Sequence, residues 1–335
     1  MKSLSRRQFH ALTLSAAAMA ALGPVPSVLA RRRADEDGTL FDWQELPGGA
    51  WVAMGQGGNT LLVRSAGQAV LIDCKNPGLG ATLRREAESF GTPVRLVVNT
   101  HHHGDHSGGN PAFTADLPLV AHAKAKPRII AQSEEMLGRA RRVLQGLEGG
   151  EKPAPKRVID EVKSFIDSIA GVPGDAFAPT RVVEERMEAD KFGDLEVQYH
   201  HIGPGHTDND MVVFFPSLNL VHMGDLLFHR RYPVIDLAAG ATTIGWQESV
   251  REIIKLCDAK TTVIPGHGEI TDVNGLATQV EFFNKIREVV RHAKDVEGMT
   301  KEEVMNLTPG AFEGYEFQQM RPRTLGAVFE ELEKK

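Results

Sequence analysis

The chain has 335 residues, 41% of them hydrophobic and 24% charged. That is the balance of a soluble globular protein long enough for one large core or two smaller ones. The formal net charge of −6 gives no basic surface, which argues against nucleic acid as a partner.

In chain order, residues 1–30 read as an export signal peptide. Ser5-Arg6-Arg7-Gln8-Phe9 resembles a twin-arginine box, the apolar run at 11–22 is too short to span a bilayer, and Val28-Leu29-Ala30 offers small residues for cleavage. The export machinery is then a partner, and the location is periplasmic or secreted. Residues 31–39 form a charged linker, expected to be mobile. From Phe41 the chain turns to strands, over 51–54, 60–65 and 68–73, separated by Gly55, Gly57, Gly58 and Gly67. Helical periodicity over 79–90 stops at Gly91, and a β-branched run over 94–99 follows. A strand is predicted over 117–121. Two helices over 128–147 and 156–169 then form an insert of about 123–180, suited to a lid or a dimer surface. Strands resume over 182–187, 195–201, 211–215, 219–223 and 261–264. Helices are predicted over 246–256 and 276–292. The domain so formed runs from 40 to 295. A helical extension over 296–335 opens with Thr300 and Glu303 in capping-box spacing. The two cysteines, Cys74 and Cys257, have no Cys-x-x-Cys spacing and read as separate, mostly buried thiols.

The strand at 94–99 runs into Thr100-His101-His102-His103-Gly104-Asp105-His106. Four metal-ligating side chains lie within six residues, and Gly104, Gly108 and Gly109 make the segment a loop. Zinc takes imidazole nitrogen and carboxylate oxygen in this way. His101 and His103, two apart, share a face, while Asp105 and His106 point to a second ion beside it. His102, His122, His200, His201 and His222 read as ordinary histidines in or beside strands.

The pattern His101-x-His103-x-Asp105-His106 resembles the signature of the metallo-β-lactamase-fold hydrolases. Leu71-Ile72-Asp73, Gly205-His206-Thr207, Gly224-Asp225 and Pro265-Gly266-His267-Gly268 match further family motifs in order, over roughly residues 40–290. The resemblance implies an α/β fold, an αββα sandwich of two mixed β-sheets flanked by helices. It implies two divalent metal ions, Zn2+ first among them. His101, His103 and His206 would hold one ion, Asp105, His106 and His267 the other, and Asp225 would bridge them. Asp105 and Asp225 would thus serve catalysis, and Asp73 would orient a ligand from behind. Two such ions share a hydroxide and clamp the attacking and leaving oxygens of a hydrolysis.

The implied function is an exported dinuclear hydrolase of a small-molecule ester, thioester, lactone or lactam, of the glyoxalase II-like or β-lactamase-like branch. Asp225 is followed by Leu226, Leu227 and Phe228. The Cys at that position and the following Lys of one true β-lactamase subclass are therefore absent. His229 and Tyr232 are candidate pocket residues that would donate to an oxyanion. The alternatives are a β-lactamase proper, an iron-dependent redox enzyme on the same fold and, more remotely, a binding protein or a nuclease.

Overall fold

Strand residues that alternate between two apolar environments build the fold. In β3 (Thr60–Ser65) and β4 (Gln68–Ile72), Leu61, Val63, Val70 and Ile72 face one core, while Leu62, Ala69 and Leu71 face another. In β10 (Val212–Phe215), Val213 and Phe215 join the first of these cores, and Val212 and Phe214 turn to a third. Period-two alternation with both faces apolar is what a sheet covered on both sides requires. The computed structural model describes residues 39–149 and 155–334. The signal peptide expected over 1–30 and residues 31–38 of the expected linker lie outside the described residues.

The first sheet has the order β1 (Asp42–Leu46), β2 (Ala50–Met54), β3, β4, β5 (Val94–Val98), β6 (Leu119–His122) and β7 (Arg181–Val183). It is antiparallel from β1 to β4 and parallel from β4 to β7. The second has the order β12 (Thr262–Ile264), β11 (Leu220–His222), β10, β9 (Leu195–His200) and β8 (Met187–Phe192). It is antiparallel except for the parallel pair β11–β12. The sheets pack face to face over a shared core that includes Val52, Val98, Tyr199 and Ile264. Each fully buried aliphatic or phenyl side chain there contributes roughly 1.5–3 kcal/mol.

Helices cover both outer faces. Leu83 and Ala87 of α1 (Gly80–Glu88) pack on the first sheet. After β5 the metal loop closes into one helical turn, α2 (Gly104–Ser107), where a plain loop was expected. Helices α3 (Ala125–Gly149) and α4 (Lys156–Ile169) form a pair whose apolar seam includes Ile129, Ala140, Phe165 and Ile169. On the second sheet lie α5 (Thr243–Ile254) and α6 (Val273–Asp295), with Trp246, Phe283 and Ile286 fully buried. The tail adds α7 (Lys301–Met305), whose Thr300–Glu303 capping box forms, and α8 (Arg321–Glu333). No helix of the described residues is long and apolar enough to cross a membrane.

The strand expected over 182–187 is two strands. Val183 ends β7 in the first sheet, exposed Glu184, Glu185 and Arg186 carry the chain across, and Met187 opens β8 in the second. β8 has no continuous apolar pattern because it is a half-exposed edge strand, where charge on the rim protects against edge-to-edge pairing. Cys74 is buried, Cys257 is half-buried, and both are free.

Candidate metal centre

The strand directions bring distant motifs to one edge of the sandwich. β4 and β5 are parallel, so Asp73 and the segment 100–106 leave the first sheet side by side. β11 and β12 are parallel, and β9 runs with them, antiparallel to β10. Beyond their C-terminal ends lie Asp225, His267 and His206. His101, His103, His206 and Asp225 form one group with ligand atoms within 4.8 Å of one another, and Asp105, His106 and His267 form a second. Asp225 lies between them. Its Oδ2 is 3.4 Å from His206 Nε2 and 3.8 Å from His101 Nε2, and its Oδ1 is 3.1 Å from His106 Nε2 and 3.4 Å from His267 Nε2.

Outer partners decide which ring nitrogens face inward. Asp73 accepts from the Thr100 backbone N–H and hydroxyl at 2.8 Å each, and its Oδ2 lies 2.7 Å from His106 Nδ1. The Thr100 hydroxyl oxygen is 3.1 Å from His101 Nδ1. His206 Nδ1 is 2.8 Å from the Val234 carbonyl, and His103 Nε2 is 2.9 Å from Asp236 Oδ2. With those nitrogens turned outward, His101 Nε2, His103 Nδ1, His206 Nε2 and His106 Nε2 point to the centre, which is how proteins orient metal-ligating histidines.

Close backbone packing holds the rings from behind. A Cβ on Gly58 would fall 2.1 Å from His106 Cε1, and one on Gly266 would fall 2.1 Å from Asp225 Oδ1. Asn59 sits between the two sheets' loops, donating from Nδ2 to the Pro265 and Gly268 carbonyls at 2.9 Å each. Lys75, fully buried, donates to the carbonyls of Ala53 and Gly58 at 2.6 and 2.7 Å. From above, Arg128 of α3 grips Asp208 two residues past His206, through Nε and Nη2 at 3.0 and 2.7 Å. Gln132 on the same helix lies against the His102 carbonyl and the Gly104 N–H, and with its amide turned so that nitrogen faces the carbonyl it would donate to the first at 3.1 Å and accept from the second at 2.6 Å. The helical insert thus touches both histidine loops.

Burial and the neighbouring carboxylates divide the imidazoles into two kinds. Burial pushes His101 well below its ordinary value, and His206 down to about 4, so both are neutral donors of a lone pair. For His106 and His267 burial acts the same way, but the carboxylates of Asp225 and Asp105 prevail and raise both, with Asp73 adding to His106. Asp225 is driven well below the usual carboxylate range: His267 and His106 overcome its desolvation.

A family model, that of the metallo-beta-lactamase superfamily, matches residues 54–267. The chain belongs to the metallo-beta-lactamase superfamily. Homologues within this superfamily of metallo-hydrolases include a probable metallo-hydrolase, YqjP, of Bacillus subtilis (strain 168), 27% identical over 66% of this chain and 69% of its own. A type 2 metallo-beta-lactamase of Bacillus sp. (strain 170) is 29% identical over 64% of this chain and 68% of its own. The match to a type 2 metallo-beta-lactamase of Bacillus cereus, 30% identical, spans only 32% of that enzyme. The metallo-beta-lactamase structures from Pontibacter korlensis (17% identity) and of DIM-1 (16%) share the fold. Each has a TM-score of 0.54, covering 73% of this chain and nearly all of theirs.

Measured as a site for the superfamily's metal, the residues fit. His101 Nε2 and Asp225 Oδ1 are buried with no hydrogen-bond partner. Such groups cost about 1–3 kcal/mol each unless satisfied, and a divalent cation would satisfy both. The donors are imidazole and carboxylate, a set that suits zinc and other first-row divalent ions.

Of the two candidate pocket residues, Tyr232 is turned into the core, while His229 is half-exposed beside His267, its backbone N–H donating to the His267 carbonyl at 2.9 Å. Tyr232 is 1% exposed, its ring against Phe282, Phe312 and Tyr315, so it belongs to the core beneath the site and not to a pocket wall. His229 turns Nδ1 to the Glu269 carbonyl at 2.9 Å. His102 faces Asn209, at 3.3 Å from Nδ1 to Oδ1. His122 and His201 stack on each other at 3.8 Å. The sequence reading missed Asp236, Asn59 and Lys75. Nothing in their spacing marks them, since each acts on a partner far along the chain.

Proposed function

We propose that the protein is an exported, dinuclear metal-dependent hydrolase of a small-molecule ester, thioester, lactone or lactam. The observation that carries this reading is the Asp225 carboxylate, whose two oxygens face two separate groups of imidazoles. His101, His103 and His206 would hold one divalent ion, Asp105, His106 and His267 the other, with Asp225 between. Zinc is the ion proposed first. Divalent ions held there would supply a Lewis acid and lower the pKa of bound water to about 7.

The protein's own part is positioning. Asp73, Thr100, Asp236 and the Val234 carbonyl fix the imidazoles in the tautomer that binds, so no reorganisation is needed when substrate arrives. Asp105, His103 and His267 keep 15%, 12% and 11% side-chain exposure, against 0–3% for His106, His206 and Asp225. Substrate therefore approaches past Asp105, His103 and His267.

Export rests on the twin-arginine pattern of residues 5–9 and places the enzyme in the periplasm or outside the cell. An iron-dependent redox role is not favoured.

The test is metal content of the purified protein together with a hydrolysis panel of β-lactams, lactones, thioesters and phosphodiesters. About two divalent ions per chain with turnover of one carbonyl class supports the reading. One ion or none, or turnover only of phosphodiesters, overturns it.

A further inference from the structure

Beyond the family match, the C-terminal extension sends one aromatic side chain back to the metal centre. Phe317 packs its ring 5.7 Å from that of His267. His267 is stacked on its inner side by Phe228, 5.0 Å away and only 2% exposed, whereas Phe317 is half-buried and keeps surface free.

Phe317 stands in the left-handed region at φ 57°, unfavourable for a bulky side chain. Its neighbours impose that conformation. Glu316 donates its N–H to the Arg230 carbonyl at 2.9 Å and accepts from the Tyr232 N–H at 3.1 Å. The Arg231 guanidinium holds Glu316 Oε2 at 2.8 Å and lies over the Phe317 ring, 4.9 Å from its centre. With its charge taken up by Glu316, Arg231 offers little to an anionic substrate group. What remains free beside His267 is an aromatic ring.

We infer that Phe317 is a specificity-determining residue: its ring is the wall against which an apolar group of the substrate, next to the scissile bond, packs. The inference deepens the hydrolase reading and rests on its metal centre. Phe317 rests its inner side against the core, and a strained backbone that also keeps part of its ring open beside a metal-site histidine fits a ligand contact on that open part.

The experiment uses two metal-chelating probes, acetohydroxamate and benzohydroxamate, titrated calorimetrically into the zinc-loaded protein. They share a chelating head and differ in a methyl against a phenyl group. Wild type is expected to bind benzohydroxamate about tenfold more tightly. Phe317→Ala should lose that margin while its affinity for acetohydroxamate stays within about twofold. Phe317→Gly should do the same without loss of thermal stability, because glycine accepts the left-handed conformation. Phe317→Leu should keep most of the margin. Equal weakening of both probes in Phe317→Ala, or no change in either, would overturn the inference, as would failure of both probes to bind the wild type. A margin that vanishes with the ring supports the wall even if no ester, thioester, lactone or lactam is turned over, an outcome that would sink the hydrolase reading alone.

Discussion

Asp236 Oδ2 lies 2.9 Å from Nε2 of His103, across 133 residues of chain. His103 Nδ1 in turn lies 2.9 Å from His206 Nε2, so the carboxylate stands behind the ring and the ring faces the centre. Asp236 is held well below the ordinary carboxylate range: it is desolvated, but the contact with His103 and the Ala239 N–H outweigh burial. Asp236→Asn keeps the shape and removes the charge. The expected result is a 10–100-fold loss of affinity for one ion of the pair, read by chelator competition, with melting temperature little changed. Affinity equal to wild type would make Asp236 only the cap of the turn it begins.

Asp225 tests the two-ion arrangement directly. A carboxylate between two dications offsets their repulsion and fixes their spacing. Asp225→Asn is expected to keep one tightly bound ion, lose the second and lower kcat by at least about a hundredfold. KM should move less. Elemental analysis with steady-state kinetics checks this, and two ions with near-normal turnover would remove Asp225 from the mechanism.

Gly58 leaves no room for a side chain, since a Cβ there would meet Cε1 and Nε2 of His106 at 2.1 and 2.4 Å. Gly58→Ala should therefore push the imidazole off its line to the centre. A destabilisation of about 1–3 kcal/mol is expected, with a 10–100-fold loss of metal affinity. Gly146→Ala is the control. It lies in α3 with nothing within 4 Å of its Cβ and should be neutral or slightly stabilising. Unchanged affinity in Gly58→Ala would show that the loop yields and that the ring is held only by Asp73.

Lys75 predicts a pH dependence. Burial pushes its ammonium down to about 7, against the opposing pull of Asp73 and Asp105. In the unfolded chain the group holds its proton to about 10.4. Between these values the unfolded state binds more protons, so this residue makes stability rise with pH by up to about 1.4 kcal/mol per unit. Below about pH 7 both states are protonated and the contribution is flat. Loss of the hydrogen bonds to Ala53 and Gly58 in Lys75→Met adds an offset that does not vary with pH. Urea unfolding of both proteins from about pH 6 to 10 should show their difference growing above 7, and a constant difference would mean that the buried amine stays charged.

The superfamily could be read from the sequence because its chemistry demands particular side chains in particular loops. His101, His103, Asp105 and His106 stand together after a buried strand, and glycines flank His206, Asp225 and His267 where strands end. The individual strands and the helices of the insert follow from apolar periodicity, a local property of the chain, whereas their arrangement as a two-sheet sandwich is implied only by the resemblance of the motifs. What supports those rings was decided only by packing. Asp236, Asn59 and Lys75 look like loop residues in sequence, and each gains its role from a backbone or ring brought beside it by another strand. The same holds for Tyr232, which reads as a pocket donor four residues past Phe228 yet turns into the aromatic cluster of the tail. It holds also for Phe317, whose place beside His267 depends on the pairing of Glu316 with residues 230–232. A side chain's type is written in the chain, but the group it meets is set by which strands run parallel and where their ends coincide.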